Sequence, residues 1–140
     1  MIFRRSFVTW LVLVIAGIIF GYSFHGYVLK YRCNKLVKDA ESFVKENPTN
    51  VKKWVILGNY QYFAMDYKGA MDAYKKAITL DNACIDAYEG LGVCYLQQGM
   101  LEDAGRILRK ALVISSTNDL DATYRIKNIL TYLAEIKSKD

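Results

Sequence analysis

The sequence predicts an all-α protein: an N-terminal transmembrane helix, then a short solenoid of antiparallel helix pairs, then a C-terminal capping helix. Three observations predict it. Residues 7–29 form an apolar run broken by no charge except whatever His25 carries. Trp54 and Tyr88, Leu57 and Leu91, Gly58 and Gly92, Ala70 and Ala104, and Ala77 and Ala111 are each 34 residues apart. Finally, Ala122, Ile126, Ile129, Leu130 and Leu133 draw one helical stripe near the C-terminus. A fixed period in this range marks units that cannot bury their apolar faces alone and must stack on their neighbours.

The apolar run accounts for the high hydrophobic fraction of 53% in a chain of 140 residues. As a helix it would extend about 35 Å, enough to cross a hydrocarbon core of about 30 Å. Arg4 and Arg5 precede it as they would in a cleaved signal peptide, but the run is long for that role and no small-x-small cleavage site follows. Arg4 to Val8 also fits a fragment of a twin-arginine export signal. A short tail with two arginines resists translocation, so the expected orientation is N-terminus cytoplasmic and helix pairs periplasmic across a bacterial inner membrane. A literal count of Lys30, Arg32, Lys35 and Lys38 against Arg4 and Arg5 gives the cytoplasm-facing alternative. Gly17 and Gly21 form a small-xxx-small pair suited to close contact with another membrane helix. His25 falls near the interface, Trp10, Tyr22, Tyr27 and Tyr31 fit an aromatic belt, and the flanking lysines and Arg32 would meet lipid headgroups.

Residues 31–46 read as a helix, with Leu36, Ala40, Phe43 and Val44 at spacings of three and four. Asn47-Pro48 ends it, because proline disfavours helix in the residue before it and cannot extend the ladder. Shifted by the repeat period, Pro48 aligns with Asn82 and Ala40 with Tyr74, so this segment is expected to be the second helix of a degenerate leading unit. In the first full unit, Trp54, Leu57, Gly58 and Tyr62 mark a helix over residues 52–65, and residues 67–80 return after a turn at Asp66-Tyr67. Gly58, Ala70 and Ala77 are small where helices must come close. The second unit keeps this grammar with Gly92, Ala104 and Ala111, and turns at Gly99, where glycine takes the left-handed conformation that ends a helix. Residues 120–137 form the cap, with Asp119 and Asp121 at its positive N-terminus and Arg125, Lys127, Asn128 and Glu135 outside the stripe. Expected divisions are thus 1–29 tail and transmembrane helix, 30–48 leading half-unit, 51–84 and 85–118 the two units, and 119–140 cap and tail.

Trp54-x-x-Leu57-Gly58, Ala70-x-x-x-Tyr74 and Ala77, then Tyr88-x-x-Leu91-Gly92-x-x-Tyr95, Gly99, Ala104 and Ala111 resemble two tetratricopeptide repeats. Gln61 departs from the pattern where an aromatic is expected, and Met65 stands in for the turn glycine. Asn82 and Ser116 replace the closing proline. The resemblance implies a concave groove lined by the first helix of each unit, here Lys52, Val55, Asn59, Tyr62 and Phe63, then Asp86, Glu89, Val93, Leu96 and Gln97. Such a groove suits an extended segment or a helix of a protein partner. In so short an array Tyr62 and Phe63 can instead pack on a neighbouring helix, and both readings stand at this stage. Only Asn59 fits the lysine and asparagine cluster that clamps a terminal carboxylate in the chaperone-tail type of groove.

Enzymatic chemistry finds no support. The lone histidine lies in the apolar run, and no phosphate loop or metal-spaced cysteine and histidine set appears. Gly90-Leu91-Gly92 falls inside a helix as a packing device. Cys33, Cys84 and Cys94 are an odd number, against a closed disulfide framework, and Cys94 takes an interior helix position. The 19 basic and 14 acidic residues approach balance once Arg4, Arg5 and Lys30 are set aside, so nucleic acid is not an expected partner. No cofactor, metal or small-molecule substrate is expected. Two functions remain: a membrane-anchored module that recruits a protein partner, or a permanently bound subunit of a larger membrane complex.

Overall fold

The structure, a computed structural model, describes residues 31–115 and 119–139. Six helices appear there: α1 (31–46), α2 (Val51–Phe63), α3 (Tyr67–Leu80), α4 (Ile85–Gln97), α5 (Leu101–Ser115) and α6 (Leu120–Lys137). Contacts run mainly between successive helices, α2 with α3, α3 with α4, α4 with α5 and α5 with α6. First helices also touch one another across the stack, α2 with α4 and α4 with α6. That pattern is a solenoid of hairpins, with α2, α4 and α6 on one wall.

The expected transmembrane helix, and the single-pass membrane localisation built on it, are corrected. Among the described residues no helix is long and apolar enough to cross a membrane. Residues 7–29, with the Gly17 and Gly21 contact pair and His25, lie outside the described residues. Helix α1 exposes Arg32, Lys35, Lys38, Asp39, Glu41, Lys45 and Glu46, a composition that hydrocarbon does not accept. The observed fold is therefore an all-α, six-helix hairpin solenoid.

Capping sets where the helices begin. Asn50 Oδ1 accepts from the Lys53 amide, Asp66 Oδ1 from the Gly69 amide and Asp119 Oδ1 from the Ala122 amide, each satisfying a donor that the first turn leaves free. Before α2, the Trp54 indole N–H donates to the Pro48 carbonyl at 2.8 Å and pins the connection from α1. Between α2 and α3, Met65 adopts φ 63°, and Gly99 adopts φ 71° at the same place in the next hairpin. A methionine thus takes a conformation that ordinarily selects glycine.

Small residues let the helices approach. Ala70, Ala77, Ala87, Ala104 and Ala111 are wholly buried. A Cβ on Gly58 would lie 2.7 Å from the Tyr74 ring, and one on Gly92 would lie 2.6 Å from Leu108 Cγ. Around these contacts the core forms three clusters, one centred on Tyr74, Leu91 and Cys94, one joining α1 to α2 through Ala40, Val44 and Leu57, and one joining α4, α5 and α6 through Tyr88, Leu108 and Ile126. Burial pushes the Cys94 thiol up to about 11, so it is a neutral core group at ordinary pH. On α1 the face is rotated from the expected one. Val37 packs beside Ala40 and Val44, whereas Leu36 and Phe43 are exposed, with Lys53 Nζ 5.6 Å from the Phe43 ring centroid.

Candidate functional site

A cavity of about 490 Å³ opens on the wall made by α2, α4 and α6. Its apolar part is Val55, Tyr62 and Phe63 from α2 and Val93 from α4. Helical spacing carries one side chain per turn to this face, and the deeper lining depends on a glycine. Gly90 sits against the Tyr74 ring so closely that a Cβ there would collide with it, which leaves the ring itself as part of the wall. The Tyr74 hydroxyl donates to Asn59 Oδ1 at 2.6 Å, fixing the Asn59 amide at the cavity. Burial pushes the Tyr74 phenol well above its ordinary value, so it remains a donor. At the rim, Phe63 is 69% exposed and meets the Tyr62 ring edge-on at 5.8 Å, while Tyr62 meets Tyr67 at 5.5 Å. Partial burial raises the Tyr62 phenol, as does neighbouring Tyr67, against a hydrogen bond with Gln97.

The polar side of the cavity centres on Arg125, which the sequence pattern placed on the solvent face of α6. It reaches inward instead. Arg125 Nη2 donates to Glu89 Oε2 at 2.9 Å, Nε lies 3.2 and 3.3 Å from the two Glu89 oxygens, and Nη1 donates to Asp121 Oδ2 at 2.8 Å. Asp86 Oδ1 is 3.7 Å from Nη2. Hydrogen bonding to Glu89 holds the guanidinium more firmly charged than usual, against the cost of desolvation.

Of the ten groove positions expected from the sequence, Val55, Asn59, Tyr62, Phe63, Asp86, Glu89 and Val93 line this cavity. Three do not. Lys52 is exposed outside it, Leu96 packs into the core between two clusters, and Gln97 is exposed beside the Tyr62 hydroxyl. The sequence reading missed Tyr74, Gly90 and Arg125. Tyr74 enters the sequence reading only as a repeat-motif position and Gly90 only as a packing device, and Arg125 lies on α6, which reads as a cap. The signal for Arg125 was present as an i,i+4 pair with Asp121, normally a surface feature. Among the described residues no cluster of histidine, cysteine or carboxylate side chains could hold a metal ion.

The family model described as a tetratricopeptide repeat matches residues 64–114. A formate-dependent nitrite reductase complex subunit, NrfG of Escherichia coli O157:H7, is 32% identical over 82 residues, which cover 56% of this chain and 41% of that protein. The chain thus spans about two fifths of the curated relative it matches. Several solved structures share the fold. The type III secretion translocator chaperone SycD of Yersinia enterocolitica superposes with a TM-score of 0.72 at 16% identity, over 87% of this chain and 85% of that one. PcrH, solved with the chaperone binding region of PopD, gives 0.71 at 15% identity over 86% and 92%. The TPR2B domain of yeast Sti1, from its complex with pHsp70, gives 0.70 at 17% identity over 79% and 90%. At identities this low the superpositions show a shared fold alone.

Proposed function

We propose that this chain is a protein-interaction module that holds a segment of a partner protein in the cavity between α2, α4 and α6. The cavity itself carries the reading. It joins an aromatic and aliphatic floor to a few fixed polar groups, Asn59 and the Arg125 cluster, and is open enough at the Phe63 rim to admit a chain. Apolar surface supplies the affinity and the polar groups set register. Support also comes from neighbours of the same fold solved with a translocator segment or peptide, or with pHsp70.

The test is a peptide library displayed against the full-length protein, followed by binding to Phe63→Ala and Val93→Trp. The first removes the exposed rim ring and the second fills the cavity. Selected peptides should lose about tenfold or more in affinity for each variant, in keeping with anchor contacts of about 1.4 kcal/mol or above. Equal binding to wild type and both variants, with unchanged melting curves, would exclude this cavity as the site.

The similarity to NrfG favours a second reading, in which the chain is a permanent subunit of a multisubunit complex held through surfaces other than this cavity. Gentle extraction of the native protein separates the two. A stoichiometric assembly that survives Phe63→Ala and Val93→Trp supports the second reading.

A further inference from the structure

We infer that the segment held in this cavity is apolar with a lysine or arginine at one position, and that its cation docks on the Asp86 and Asp121 side of the cavity. The inference rests on the reading above and adds the partner's charge. Glu89, Asp86 and Asp121 surround the single guanidinium of Arg125, so three carboxylates face one cation. Their use is unequal. Glu89 is only 19% exposed and is engaged by Nε and Nη2 together, which leaves it little capacity. Asp86 and Asp121 are 73% and 83% exposed and each meets Arg125 through one oxygen, so both keep outward lone pairs. Among the cavity-lining residues Arg125 is the one basic side chain, and Lys52 lies outside the lining. The aromatic and aliphatic floor therefore adjoins a rim of net negative charge, which attracts a cation and repels an anion.

The opposite arrangement, Arg125 turning to receive a partner's carboxylate, is disfavoured by the same geometry. Freeing Arg125 would leave the mostly buried Glu89 carboxylate without its donors beside Val93 and Tyr74, and an unpaired charge in such surroundings is costly. Burial also keeps the Tyr74 phenol protonated, so its oxygen adds no further negative charge to compete for the ligand's cation.

Three displayed libraries with the same random apolar positions, and lysine, methionine or glutamate fixed at one site, test this against the full-length protein. The lysine library should yield the tightest Phe63-dependent binders. Re-made with methionine at the fixed site, such a peptide should bind about three- to tenfold more weakly at low salt, the range of two exposed ion pairs. Asp86→Asn combined with Asp121→Asn should abolish that difference, and about 1 M salt should shrink it in the wild type. Tightest binding from the methionine or glutamate library, still lost in Phe63→Ala, overturns the charge assignment and leaves the cavity as the binding site. Binders indifferent to Phe63→Ala, or no binders from any library, overturn both.

Discussion

Where the hairpin α4–α5 places Tyr95, Gly99 and Leu108, the hairpin α2–α3 places Gln61, Met65 and Tyr74, position for position along the 34-residue repeat. At these three positions the second hairpin follows packing, although elsewhere in it Tyr88 buries a hydroxyl with no partner among the described residues. Leu108 is fully buried against Gly92, and Gly99 turns the chain in the left-handed region with nothing within 4 Å of where a side chain would start. In the first hairpin each counterpart is a compromise. Gln61 is buried with its Oε1 unpartnered among the described residues, Met65 takes a left-handed φ, and Tyr74 carries a hydroxyl into the core. That hydroxyl has a use, because it orients Asn59 at the cavity. At these positions the second hairpin serves the core, and the first gives up some packing quality to fix Asn59 at the cavity.

The sharpest way to break the comparison is Leu108→Ala. Leu108 is fully buried in the cluster that joins α4, α5 and α6. Deleting so enclosed a side chain should cost about 2–5 kcal/mol, including the cavity left behind. Urea denaturation would measure it as a fall in midpoint at constant slope. A loss below about 1 kcal/mol would mean that α5 collapses onto Gly92 and that the second hairpin is less tightly specified than its burial implies.

The turns offer the next effect. Gly99→Ala should destabilise by about 1–2 kcal/mol through backbone strain alone, since no atom obstructs the added methyl group. Met65→Gly should stabilise by up to about 1 kcal/mol, the relief of strain exceeding the extra freedom glycine has when unfolded. Opposite signs in thermal melts would confirm that the two turns share one conformation and differ only in how well the residue suits it. Equal signs would break the correspondence.

Much of this was legible from residue types alone. Alanine and glycine at matching positions in each unit announce hairpins, and the stripe from Ala122 to Leu133 marks α6 as a packed helix. The resemblance to tetratricopeptide repeats also pointed to most of the cavity wall. It could not register that Gly90 bares the Tyr74 ring, because that contact crosses from one hairpin to the next. Nor could it foresee Arg125, whose pairing with Glu89 joins residues 36 positions apart and depends on how α6 closes over α4. The apolar segment at residues 7–29, for which hydropathy proposes a span, lies outside the described residues, and among those no helix is long and apolar enough to cross a membrane.

The smallest expected effect isolates the cost of polarity in the first hairpin. Gln61 lies where Tyr95 lies in the second, nearly enclosed, and its amide nitrogen is 2.9 Å from where a Cβ on Gly69 would stand, so a wider side chain at either position would crowd the other. Restoring an aromatic would therefore confuse overpacking with polarity. Gln61→Met keeps the length and removes the unpartnered acceptor together with the amide nitrogen, so it should stabilise the fold by up to about 1 kcal/mol. Because Gln61 is not in the cavity lining, peptide affinity should not change. A gain in stability with constant affinity would assign the weakness of the first hairpin to this one acceptor. A loss would mean that the interactions of the amide nitrogen outweigh the cost of the unpartnered oxygen, and the contrast between the hairpins would then reduce to their turns and to Tyr74.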